Sequence, residues 1–176
     1  MDAPDRELIL KLLAESREAL VSSAAGLTDE QSKIRPAPDQ WSVLDCVEHV
    51  AITENFMFTN IATKLTPASP SGDRAREELF LREVANRSRK INAPDRAHPT
   101  GRFPTLTAAV EQFNQCRARS IDYVERCDKD LRAHTAPHPL FGPITGQEYL
   151  IILALHPARH AAQIREVRQT LGLTSH

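Results

Sequence analysis

Apolar residues recur along this chain at intervals of three and four, the spacing that lines one face of a helix. No stretch alternates apolar and polar residues for long enough to predict a strand. The first periodic segment runs from about Pro4 to Ala25 and ends at Gly26. Leu8, Leu12, Leu13, Ala19 and Leu20 form its expected buried stripe. Thr28, a good N-cap, opens a short turn. The prolines of Arg35-Pro36-Ala37-Pro38 then forbid helix, because proline lacks a donor and restricts the residue before it. The second helix is predicted from Ser42 to about Leu65, with Asp45 completing a capping box on Ser42. Val43, Val47, Val50, Phe58 and Ile61 mark its apolar positions.

The stretch from Thr66 to Gly72, with Pro67 and Pro70, is expected as loop. A charged helix from about Arg74 to Ile91 follows, with a thin apolar face of Leu79, Phe80 and Val84. Asn92 to Pro104 is again loop. The third long helix covers about Leu106 to Leu131, with Val110, Phe113, Ile121 and Val124 inward. The proline-rich run Ala136 to Pro143 forces a turn. The last helix begins at Thr145, whose capping box closes with Glu148, and ends near Leu171 with Gly172 as its C-cap. The pattern predicts an all-α fold of four long helices, with an extra helix in a long connection between the second and third. Short connections imply antiparallel neighbours, while the long one allows helices two and three to run parallel.

At 176 residues the chain suits a single domain spanning 1–176. A formal net charge of -1 offers no broad attraction to nucleic acid or to an acidic membrane surface. The arginines are spread among acids and read as solvated helix faces. Cys46, Cys116 and Cys127 are odd in number and form no CxxC pair, which argues against a disulfide framework or a cysteine zinc site. They read as small buried apolar residues, with Cys46 alone near a candidate site. The N-terminus does not resemble a signal peptide, and the longest apolar run, Tyr149 to Leu155, is about two turns of helix. A cytoplasmic setting, without membrane or nucleic-acid partners, is the expectation.

Histidine changes the picture. The inward stripe of the last helix reads Tyr149, Leu153, His156, His160, Ile164, Val167, Leu171. Two imidazoles one turn apart interrupt an apolar seam and can reach one ion. Histidines at this spacing are also commonly just packed and hydrogen-bonded. No glutamate follows His156, so this is not the H-E-x-x-H metalloprotease motif. The absence of an E-x-x-H pair removes a di-iron bundle. His49 on the second helix can complete a facial set.

Trp41-Ser42 followed by His49, then His138-Pro139-Leu140-Phe141-Gly142-Pro143-Ile144-Thr145, then His156-x-x-x-His160-x-x-Gln163-Ile164 resembles the DinB/YfiT-like family. The resemblance covers helix two and the last third of the chain. It implies a four-helix bundle of up-down-down-up topology, and a metal held by His49, His156 and His160. Some relatives form homodimers, and some are transferases or isomerases that use a low-molecular-weight thiol. Pro157, inside the last helix, departs from a regular helix and can kink it at the site.

Three neutral imidazoles suit one divalent ion, zinc or nickel, and leave a coordination position open. Water or a small thiol there becomes a nucleophile near neutral pH. The expected function is therefore a metal-dependent transferase or hydrolase acting on an electrophilic small molecule. A non-catalytic metal- or ligand-binding stress-response module, or a bundle whose histidines only pack, are the competing readings. Asp45 is a candidate to hold the free ring N–H of His49, though it also caps the helix. Gln163 is a candidate to orient a ligand or to bridge helices. Arg159 is expected to be solvated, or to recognise a substrate carboxylate. Glu48 points away from His49 and receives no role. Trp41 reads as a core plug, and His98, His134, His138 and His176 read as solvated.

Overall fold

Each long helix starts at a side chain that answers its free N–H groups. Asp2 caps α1 (Ala3–Ala24), Ser42 caps α3 (Val43–Thr63), Thr105 caps α5 (Leu106–Arg126) and Thr145 caps α6 (Gly146–Thr170). Both predicted capping boxes form, Ser42 with Asp45 and Thr145 with Glu148. A third, Thr28 with Gln31, makes α2 (Asp29–Lys33) a helix rather than a turn. In the computed structural model, residues 1–69, 74–88 and 91–173 are described. The sequence-based expectations at Pro70, Gly72, residues 89–90 and His176 lie outside them. The charged helix α4 (Ala75–Glu83) is shorter than its pattern predicts.

Side-chain bonds fix the directions of the helices. Arg6 of α1 reaches the carbonyls of Val124 and Cys127, while Arg17 reaches Asn114, so α1 and α5 are antiparallel. Glu54 meets Arg117 and Phe58 meets Tyr123, so α3 and α5 run parallel. Thr53 meets His156 and Asn60 meets Tyr149, so α3 and α6 are antiparallel. The bundle is up-down-down-up, as the family resemblance implies.

The chain departs from an all-helical reading at one end of the bundle. β1 (Thr66–Pro67), β2 (His134–His138) and β3 (Gly142–Thr145) form an antiparallel sheet in the order β1-β2-β3. Ala136 pairs with Ile144 and His138 with Gly142. Ala136, His138 and Ile144 are buried while Pro137 and Pro143 are exposed, the alternation of a half-buried hairpin. Two prolines in a short span conceal this alternation, which is why the segment reads as loop. Gly142, at φ 68°, supplies the left-handed position that closes the hairpin.

Two core clusters fill the bundle. One surrounds Ile9, Leu13, Met57 and Tyr149 to Leu155, beside the hairpin. The other surrounds Leu20, Val43, Val47, Val50, Phe113 and Ile164. The seam of α1 is Ile9, Leu13, Ser16, Leu20, whereas Leu8 is exposed. Ser16 belongs inside because the buried Arg117 guanidinium faces its hydroxyl and donates to the carbonyl of Leu13.

Several arginines are therefore structural rather than solvated. The side chains of Arg117 and Glu54 are each 1% exposed and lie 3.0 Å apart. Burial lowers the guanidinium pKa and raises that of the carboxyl. Glu54 also accepts from Ser120. Arg117 donates in addition to the carbonyl of Leu153, four residues before Pro157. A proline has no N–H for that carbonyl, so α5 supplies a replacement donor to α6. Arg168 donates to the carbonyls of Ser23 and Ala25, at the C-terminus of α1. Arg132 joins Asp5 of α1 to Glu77 of α4.

Candidate metal centre

His49 leaves α3 in its second turn, and His156 and His160 leave α6 in its middle. Because α3 and α6 are antiparallel, these turns lie side by side. The three rings present Nε2 to a common point. His156 Nε2 is 3.3 Å from His49 Nε2 and 3.1 Å from His160 Nε2. The ligand-capable atoms of the three residues lie within 4.8 Å of one another.

The opposite ring nitrogens are all engaged outward. His49 Nδ1–H donates to the carbonyl of Ala97 at 2.6 Å. His160 Nδ1–H donates to Gln163 Oε1 at 3.0 Å. His156 Nδ1 lies 3.3 Å from Thr53 Oγ1. That hydroxyl places its own proton on the carbonyls of His49 and Val50, so it accepts from His156. Each acceptor thus holds the proton on Nδ1 and leaves a lone pair on Nε2.

Burial pushes all three imidazoles below their ordinary basicity, His49 to about 4 and the other two well below the usual histidine range. Three neutral lone pairs therefore face one another across hydrogen-bond distances with no proton between them. A cation resolves that repulsion, and the donor set is one that zinc or nickel accepts. These residues fit a divalent ion.

The surroundings of the cluster differ from the sequence reading in informative ways. Asp45 does not meet His49. Its carboxylate accepts from Ser42 N–H and from Arg35 at 2.9 Å, because the helix start claims it. Gln163 orients His160 and also accepts from Arg87, which in turn pairs with Glu166. Arg159 is buried, and its guanidinium donates to the carbonyl of Asn86. It is not solvated. Glu48, given no role, is buried and accepts from the backbone N–H of Thr100 at 2.6 Å and of Arg102 at 3.0 Å. It pins the loop that carries Ala97.

Trp41 is half-buried and lies 4.8 Å from the His49 ring and 6.1 Å from that of His160, centroid to centroid. It forms one wall of the centre. His138 is buried between Phe141 and Tyr149, not solvated, because β2 turns it inward. Cys46 lies in the apolar core, and burial raises its thiol pKa far above normal. Thr53 was legible in principle, since it stands four residues from His49 on the same face. The carbonyl of Ala97 leaves no trace in side-chain chemistry.

An up-down-down-up bundle with an inward three-imidazole cluster defines a candidate metal-binding helical protein. The chain belongs to the DinB superfamily, whose family model matches residues 12–164. It is similar to the uncharacterized protein YuaE of Bacillus subtilis (strain 168). The two are 19% identical over 162 residues, spanning 92% of this chain and 98% of YuaE. Among solved structures it is similar to YfiT from Bacillus subtilis, described as a probable metal-dependent hydrolase with an unusual four-helix bundle topology. That match has a TM-score of 0.61 at 18% identity and covers 98% of this chain and 90% of YfiT. A four-helix bundle protein, TT2238, matches at TM-score 0.60 and 20% identity, over 92% of this chain and 98% of TT2238. A conserved protein from Enterococcus faecalis matches at TM-score 0.64 and 15% identity, over 98% of this chain and 99% of that one. Among the described residues no helix is long and apolar enough to cross a membrane.

Proposed function

We propose that the protein is a metal-dependent enzyme in which His49, His156 and His160 hold one divalent ion, zinc or nickel. The observation that carries this reading is the convergence of three Nε2 lone pairs whose Nδ1 protons are all donated outward. Three protein ligands leave room for an exchangeable one, the pattern of a catalytic rather than a structural site. Such an ion supplies a low-pKa water or thiol as nucleophile.

The chain's own groups do the rest. Ala97, Thr53 and Gln163 hold the rings, Trp41 closes one side, and burial keeps the imidazoles neutral. The substrate is an electrophilic small molecule attacked by water, as in a hydrolase, or by a low-molecular-weight thiol, as in a thiol S-transferase. The description of YfiT as a probable metal-dependent hydrolase supports the first form. A cytoplasmic setting without nucleic-acid or membrane partners agrees with the near-neutral charge, and a homodimer agrees with the family resemblance.

Metal analysis of protein purified without an affinity tag tests the reading. One equivalent of zinc or nickel is expected, and His160→Ala should lose both metal and turnover. Full turnover in metal-free His160→Ala rejects it. One observation favours a non-catalytic metal- or ligand-binding stress-response module instead. Among the described residues, the hydrogen bonds of the three imidazoles reach no carboxylate that could serve as a general base. A holo-protein inert toward thiols and electrophiles would support that second form.

A further inference from the structure

The packed seam of α3 and α6 continues past the three histidines. His49, Thr53, Phe56 and Asn60 follow one another on α3 at steps of four, three and four, so they share a face. Thr53 lies opposite His156, and Asn60 lies opposite Tyr149. Phe56 therefore stands between these two levels, about one turn, or roughly 5 Å, beyond the imidazoles.

Two cations converge on that ring. The Arg96 guanidinium carbon is 4.2 Å from the Phe56 centroid, and Lys64 Nζ is 5.9 Å from it. Arg96 arrives there because Ala97, the next residue, is fastened to His49. Its charge bears on both His138 and Tyr149. Among the described residues neither Arg96 nor Lys64 has a carboxylate within ion-pair distance, whereas Arg35, Arg76, Arg87, Arg117 and Arg132 all do. His138 adds a neutral donor to the same neighbourhood. Its Nδ1 accepts from the N–H of Leu140, which leaves the proton on Nε2.

We propose that Arg96, with Lys64 beside it, is the anion-binding arm of the histidine centre and selects ligands that carry a carboxylate about one helical turn from the reacting atom. This rests on the enzymatic reading above. Arginine binds a carboxylate through two parallel hydrogen bonds, and the Phe56 ring packs against the guanidinium that would make them. Arg159, the arginine that the sequence offers for this task, is committed to Asn86. The carboxylate can belong to the electrophile or to the thiol.

The metal-free protein provides the first test, independent of any metal chemistry. Propanoate should raise its melting temperature, propanamide at equal ionic strength should not, and Arg96→Gln should abolish the difference. Equal behaviour of acid and amide in the wild type overturns the proposal and leaves the proposed function standing. A protein that holds no zinc, yet still prefers propanoate through Arg96, has the reverse meaning.

The zinc-loaded protein then identifies the source. In calorimetry, 3-mercaptopropionate should bind about 10-fold or more tighter than its amide if the thiol carries the carboxylate. If the electrophile carries it, 2-mercaptoethanol should displace iodide from iodoacetate in preference to iodoacetamide. Either preference should fall toward unity in Arg96→Gln, with zinc content unchanged, and persist in part in Arg96→Lys. A preference that survives Arg96→Gln assigns the selection to another residue.

Discussion

Glu48 and His49 are neighbours in sequence and grip the same loop at two points. Glu48 takes the N–H groups of Thr100 and Arg102, and His49 takes the carbonyl of Ala97. The two side chains leave α3 about 100° apart, so one secures the loop at its base while the other faces the histidine cluster. Glu48→Ala should therefore weaken zinc binding without touching a ligand. A loss on the order of 10–100-fold is expected, as for other groups that orient ligand histidines. Chelator competition measures it, and unchanged affinity would show that the loop is held by other means.

Thr53→Val is a milder perturbation of the same kind. The shape is kept, and the hydroxyl's donor bonds to its own helix are dispensable for α3. His156 Nδ1–H loses its acceptor. Zinc affinity should drop while the circular dichroism spectrum stays unchanged. A spectrum that collapses with the affinity would assign Thr53 to the fold instead.

Arg117 and Glu54 are a buried ion pair in which each partner depends on the other. Arg117→Met leaves a buried carboxylate alone and should cost about 3–5 kcal/mol in urea unfolding. Adding Glu54→Gln should recover much of that loss. A double variant no more stable than the single one would show that the carbonyls of Leu13 and Leu153, not Glu54, are what require the guanidinium.

Acid should weaken the metal-free protein through its buried, neutral imidazoles. His49 and His138 both ionise at about 4 in the folded state, against an ordinary value of 6.5. Between those values the unfolded chain binds more protons. Stability from keeping these rings neutral is complete above 6.5 and is lost as the pH falls toward 4. Asp5, Glu148 and Glu166 have lowered values and contribute only at more acidic pH. Urea unfolding at pH 7 and pH 5 should give lower stability at pH 5, and His138→Gln should narrow the gap. Equal stability at both values would contradict the burial of these rings.

The helices and their histidine stripe were legible because both are written in periodic side chains. Ser42, Asp45, Thr145 and Glu148 announce helix starts, and His156 and His160 fall on a regular seam. The hairpin was not legible, because Pro137 and Pro143 mask a two-residue alternation only a few residues long. Arg117 and Arg168 were misread because a charged residue is assigned to solvent by default. Their partners are carbonyls and a carboxylate brought in by other helices, which no local pattern encodes. The choice of Ile9 over Leu8 likewise depended on where Arg117 needed a polar neighbour.

His49 is made early in the chain, whereas His156 and His160 lie near its end, and the whole of α5 is threaded between them. An ion held there would act as a clasp across more than a hundred residues. It could close only after α6 is in place, so metal uptake would report completed folding. The melting point of the protein should climb with free zinc concentration rather than hold a single value.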